Sequence, residues 1–246
     1  MARPQDDEAP MSQWIQLDTP SGRIGAWQAD PSGPAKGGLV VIQEIFGVNA
    51  HIRAVADGYA AAGYAVLAPA FFDPVERNVE LDDGEADALR GRALVDALGL
   101  EAATGIVQAT AAWLRTHLAA RQAGQSVGSV GYCWGGTVAL LAALRLGLPS
   151  VSYYGARNVR AMDALDAESP ALLQRPRAPV MFHFGQEDSS IPEAAIQAHR
   201  TRLPTMPVFV YPAGHAFNRD IGHAWHPDSA ALARQRSLAF LEEHLQ

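Results

Sequence analysis

Cysteine is nearly absent from this chain: Cys133 alone in 246 residues. A lone cysteine forms no internal disulfide and cannot build a multi-cysteine zinc or iron–sulfur site. Long apolar runs are missing too. No stretch approaches the ~20 residues that span a bilayer. Residues 1–10 are acidic and contain proline, without the apolar centre of a signal peptide. Positive charge is the third shortage: Lys+Arg 19 against Asp+Glu 26 leave a formal charge of −7. That excludes the basic footprint of a general nucleic-acid binder. It also means that any anion site must rely on local arginines. The expectation is a cytoplasmic protein that engages neither nucleic acid nor membrane, with monomer as the default. Residues 1–12 read as a disordered leader, with either Met1 or Met11 as the start, and residues 13–246 as a single domain.

What is present is apolar and alternating. Hydrophobic residues make up 48% of the chain, enough for one sizeable core. Residues 14–18 and 23–27 read as antiparallel strands around the turn Pro20-Ser21-Gly22. Residues 38–43, 64–68, 126–131, 150–154, 180–184 and 208–211 are apolar runs of the kind buried on both faces of a sheet. Helical stretches fall at 49–62, 85–98, 101–118, from Cys133 to before Gly147, 193–203 and 229–244. This β-α-β-α order predicts an α/β fold with a mostly parallel, doubly wound sheet and helices on both faces. Ligands of such sheets bind beyond the carboxyl ends of the strands.

The lone cysteine falls at such a place. Gly131-Tyr132-Cys133-Trp134-Gly135-Gly136 runs from a buried strand into a helix, a G-x-nucleophile-x-G elbow with cysteine in the serine position. Side chains two residues either side of the nucleophile would collide with the neighbouring strand or helix, and glycine removes that collision. The helix N-terminus behind Cys133 favours negative charge there. The alternative is a cysteine that merely packs at a glycine-rich turn.

A nucleophile needs a base, and the base an orienting acid. Asp188 follows strand 180–184, and His215 follows strand 208–211. Nucleophile, acid and histidine thus occupy successive strand-end loops in the order this kind of site requires. Asp188 is preferred to the adjacent Glu187 on loop position. His183 lies inside an apolar strand and reads as a core histidine. His117, His199 and His244 read as solvent-facing helical residues. His223 and His226 form H-x-x-H, but without further ligands no metal is expected.

These residues and others resemble the dienelactone hydrolases (carboxymethylenebutenolidases) of the α/β-hydrolase fold. The matching motifs are Gln43-Glu44-Ile45-Phe46-Gly47-Val48-Asn49, the cysteine elbow, Tyr153-Tyr154-Gly155, Gly185-Gln186-Glu187-Asp188 and Gly214-His215-Ala216-Phe217. The resemblance implies a Cys133–Asp188–His215 triad, with Glu44 assisting deprotonation of the thiol. It implies an oxyanion hole from the N–H groups of Ile45 and Trp134. Arg219 matches a substrate-carboxylate arginine, and a second such arginine matches Arg90 or, close by, Arg92. Arginine suits that work because its planar fork binds a carboxylate in a bidentate fashion. Tyr153 and Trp134 are expected in the pocket wall. Trp134 departs from the smaller aliphatic residue common after the family's cysteine. The implied activity is hydrolysis of a small anionic enol-lactone or ester through a thioester, without a cofactor. A broader carboxylesterase or thioesterase, and a non-catalytic thiol sensor or binding protein, are the competing readings.

Overall fold

The computed structural model describes residues 11–245. Of the expected leader, residues 1–10 lie outside the described residues, whereas Met11 and Ser12 already belong to the first strand. Strand β1 (Met11–Thr19) pairs antiparallel with β2 (Gly22–Asp30) along its whole length, from Met11 opposite Asp30 to Thr19 opposite Gly22. It extends beyond the expected strand because it is a largely exposed edge. Its first residues are held by backbone pairing and not by an apolar pattern.

Six further strands follow: β3 (Gly38–Ile42), β4 (Ala65–Pro69), β5 (Val127–Tyr132), β6 (Ser150–Tyr153), β7 (Val180–Gly185) and β8 (Val208–Tyr211). The sheet order is β1-β2-β4-β3-β5-β6-β7-β8, antiparallel across β1, β2 and β4 and parallel from β4 onward. Every residue of β3 to β7 is buried, which is why these strands read as continuous apolar runs.

Helices cover both faces: α1 (Ala50–Ala61), α2 (Glu85–Ala120), α3 (Trp134–Leu141), α4 (Asn158–Glu168), α5 (Ala171–Gln174), α6 (Glu193–Arg202) and α7 (Pro227–His244). Side chains alternate across the sheet. Leu39 and Val41 join the core built with α1 and α7, while Val40 and Ile42 join the core built with α2. Asn49 caps α1 by accepting the Ile52 amide at 3.2 Å. The two helices expected at 85–98 and 101–118 form one run that is broken at Gly99, where φ is 75°. Helices α4 and α5 were not foreseen. Among the described residues, no helix is long and apolar enough to cross a membrane.

The parallel strands deliver the loops after Ile42, Tyr132, Gly185 and Tyr211 to one edge of the sheet. The elbow between β5 and α3 is the tightest of these turns. A Cβ on Gly131 would lie 1.9 Å from the Gly135 carbonyl oxygen, and a Cβ on Gly135 would lie 2.4 Å from that of Gln43. Both obstacles are backbone, so no side-chain rotation relieves them. Gly131→Ala is therefore expected to cost about 3 kcal/mol by overpacking. Urea unfolding checks this, and a wild-type midpoint would show that the elbow relaxes freely.

Candidate active site

Cys133 sits at the top of the elbow with φ 53° and ψ −117°, a backbone state rare for a residue bearing a side chain. Backbone contacts hold it there. Its amide donates to the Tyr153 carbonyl at 3.0 Å, and its own carbonyl accepts from the Gly136 amide at 3.0 Å. The thiol is half-buried.

Asp188 and His215 meet across adjacent loops. His215 Nδ1 lies 2.6 Å from Asp188 Oδ2. The other carboxylate oxygen, Oδ1, accepts the Ser190 amide at 2.9 Å and the Ser190 hydroxyl at 2.5 Å. Burial pushes the Asp188 carboxyl up, but the hydrogen bond and charge of His215 and the two Ser190 donors outweigh it and hold it below its ordinary 3.8. His215 shows the converse. Burial works against its charged form, yet the Cys133 thiolate and the Asp188 carboxylate raise it well above 6.5. The charged form of the His215 imidazole is thus favoured by its two neighbours. Ser190 was not anticipated. Its only sequence signal is a hydroxyl two residues after an aspartate, the pattern of a local turn.

Glu44 lies in the loop after β3, almost fully buried, and neither carboxylate oxygen has a hydrogen-bond partner. Tyr154 is fully buried beside it with its hydroxyl also unpartnered. Burial, then the charges of Glu44 and Cys133, push the Tyr154 phenol well above 10.0. The two groups sense each other without forming a well-shaped hydrogen bond. A buried carboxylate without hydrogen-bond partners is costly, and Glu44 lines the same cavity as Cys133. Tyr154 also packs edge-on against His215, ring centroids 5.1 Å apart.

The expectation for Tyr153 is corrected by this arrangement. Tyr153 is the last residue of β6, and its side chain does not line the cavity over Cys133. Its hydroxyl meets Ser237 Oγ of α7 at 2.8 Å, and its ring packs on Tyr132 and His183. Tyr154, just past the strand with φ 38°, turns toward the thiol instead. The doublet was visible in the sequence, but its orientation was not.

A cavity of about 350 Å³ opens over Cys133. Its walls include Ile45 and Phe46 after β3, Arg92 and Val95 of α2, and Trp134. The Trp134 indole is buried edge-on against Phe71 at 5.5 Å, with its Nε1 unpartnered. Of the two arginines left open on α2, the structure brings Arg92 to the cavity. Arg90 is instead ion-paired with Glu76. Residues two apart on a helix point to nearly opposite sides, so only one of them can face the thiol. Arg219 does not line the cavity either. It is buried behind Phe46, with its guanidinium 4.7 Å from that ring's centroid and 3.7 Å from Asp83.

Four other histidines hold structural contacts. His183 bonds Tyr211 and Ser237 through its two ring nitrogens, and burial pushes it down to about 3. His199 is buried and not solvent-facing, because α6 lays its ring between Phe182 and Phe184. Burial lowers it to about 4. His117 is also tied inward, to Asp30 at 2.9 Å. His226 caps α7 by accepting the Ser229 amide.

The chain matches the model of the dienelactone hydrolase family over residues 24–245. It is 27% identical to carboxymethylenebutenolidase 1 of Cupriavidus pinatubonensis, over 94% of this chain and 97% of that one. It is 29% identical to the carboxymethylenebutenolidase of Pseudomonas putida, over 94% and 96%. A Klebsiella pneumoniae crystal structure, provisionally named a dienelactone hydrolase, superposes with a TM-score of 0.78 at 26% identity, covering 95% of this chain and 98% of that one. With nearly the whole chain under the family's model and the same fold in a solved relative, this protein belongs to the dienelactone hydrolase family and has its α/β-hydrolase fold.

Proposed function

We propose that this protein opens a small anionic enol-lactone through a Cys133 thioester. The observation that carries the reading is the meeting of the strained Cys133 elbow with the Asp188–His215 pair and an unpartnered Glu44 at the mouth of one cavity. Glu44 or His215 takes the thiol proton. The thiolate attacks the lactone carbonyl, and the carbonyl π electrons move onto oxygen. The N–H groups of Trp134 and Ile45 stabilise this oxyanion, that of Trp134 lying in the first turn of α3 where no intrahelical acceptor exists. Collapse of the intermediate breaks the ring C–O bond and expels an enolate, which takes the former thiol proton to become the ketone and leaves the base free. Water, deprotonated by His215, then attacks the thioester. The Cys133 sulfur leaves, and the acid is released.

Thiolate chemistry narrows the substrate. A tetrahedral intermediate expels its better leaving group, and a thiolate leaves readily. An enolate competes with it, whereas a simple alkoxide does not. Enol esters are therefore favoured over ordinary aliphatic esters. Arg92 supplies the cation for the substrate carboxylate, in a chain whose net charge is −7. A wider ester range is the second reading. It is favoured by the bulk of the Trp134 indole, which walls the cavity.

Cys133→Ala should abolish opening of cis- and trans-dienelactone, followed by ultraviolet absorbance, while leaving the melting temperature near wild type. Full activity in that variant would sink the thioester route. Asp188→Asn is expected to lower kcat by about 10³-fold or more, as mis-oriented histidines do. It also removes influences that keep His215 protonated, so the alkaline limb of the pH–rate profile, where His215 loses its proton, should move to lower pH. An unmoved limb would assign that limb to another group. Arg92→Ala should raise KM for a carboxylated lactone about tenfold, the loss of one charged hydrogen bond, and raise it less for a neutral aryl ester. Equal effects on both would leave the carboxylate without its proposed partner.

A further inference from the structure

The catalytic cavity does not end at Trp134. A second hollow of about 270 Å³ lies against it, and Val95, Trp134 and Arg157 line both. It exists for two local reasons. The break in α2 at Gly99 stops that helix from continuing across the gap, and Ala161 and Ala164 present only methyl groups from α4. Its charged walls are two guanidiniums, Arg157 and Arg160, against one carboxylate, Asp96. Arg160 is exposed and pairs with no acid among the described residues. Arg157 is held by Asp96 at 2.7 Å, an exposed pair of the kind that contributes little and exchanges readily. The pair positions Arg157 at the junction of the two hollows while most of its five N–H donors remain available. Arg157 is also the N-cap of α4, whose helix dipole favours an anion at the same place. The buried indole between the hollows carries an unpartnered Nε1–H.

None of this is needed to open a lactone with one carboxylate near Cys133. A cationic annex beyond the reacting centre fits a longer substrate. We propose that the enzyme acts on esters or lactones bearing a second acidic group on an extended arm, seated between Arg157 and Arg160 in the hollow beyond Trp134. The inference rests on the hydrolase reading above and deepens it by naming a substrate class with two acidic ends.

The test uses matched p-nitrophenyl esters: half-esters of linear dicarboxylic acids of increasing length, and neutral alkanoates of the same length. A second pair places the carboxylate on the alcohol half. Wild type should favour the longer anionic esters by about tenfold in kcat/KM, chiefly through KM, as one charged hydrogen bond allows. High salt should shrink the preference. Arg157→Gln and Arg160→Gln should each weaken it, and the double variant should remove it. A preference in either pair supports the proposal and shows which half of the substrate occupies the hollow. Cys133-dependent cleavage of neutral esters without any preference for an anion would overturn the annex alone. So would a preference that survives in the folded double variant, checked by thermal melting. Failure to cleave every ester and the dienelactones would overturn the hydrolase reading and this inference with it.

Discussion

The site depends on one close approach of backbone to backbone. At the turn from β5 into α3, Gly131 and Gly135 lie so near the carbonyls of Gly135 and Gln43 that neither has room for a Cβ. That approach forces the intervening Cys133 into a positive φ. The cost of such a conformation, of order 1–3 kcal/mol, is met because the surrounding sheet over-determines it. The Cys133 amide is already bonded to the Tyr153 carbonyl of the neighbouring strand end. The half-buried thiol is consequently held at the N-terminus of a helix, and His215, Asp188 and Glu44 line the cavity around that fixed point.

Around it the protein manages buried charge in two opposite ways. Asp188 is made a dependable anion, with its oxygens engaged by His215 and by the Ser190 amide and hydroxyl. Glu44 is buried with its oxygens unpartnered, beside a Tyr154 phenol that is also unpartnered. Two carboxyl groups near one thiol thus play different roles through their surroundings. The satisfied one orients and charges the histidine. The other lines the cavity without a hydrogen-bond partner.

The arginines show where reading a sequence stops. Arg90 and Arg92 are both within reach by spacing, and local sequence does not decide between them. The rotation of α2 does, by turning Arg90 to Glu76 and Arg92 to the cavity. Arg219 follows His215 at the right distance along the chain, yet Phe46 from the β3–α1 loop stands between it and the cavity. Tyr153 and Tyr154 are a similar case: β6 ends at Tyr153, and the positive φ of Tyr154 redirects the next side chain. The Arg157–Arg160 hollow had no sequence motif at all, because it arises where separate elements meet.

The sequence by itself determined the elements that repeat a physical pattern. Fully apolar runs marked the buried parallel strands, glycine spacing marked the elbow, and the order of Cys133, Asp188 and His215 marked three strand-end loops. These signals are local, set by sterics and burial within a few residues. Only the tertiary structure decided which side chains face the thiol, which carboxylate is satisfied and which cations stand free. Those outcomes turn on helix rotation, strand alternation and contacts between segments far apart in the chain. No local pattern encodes them, because each is the property of a pair.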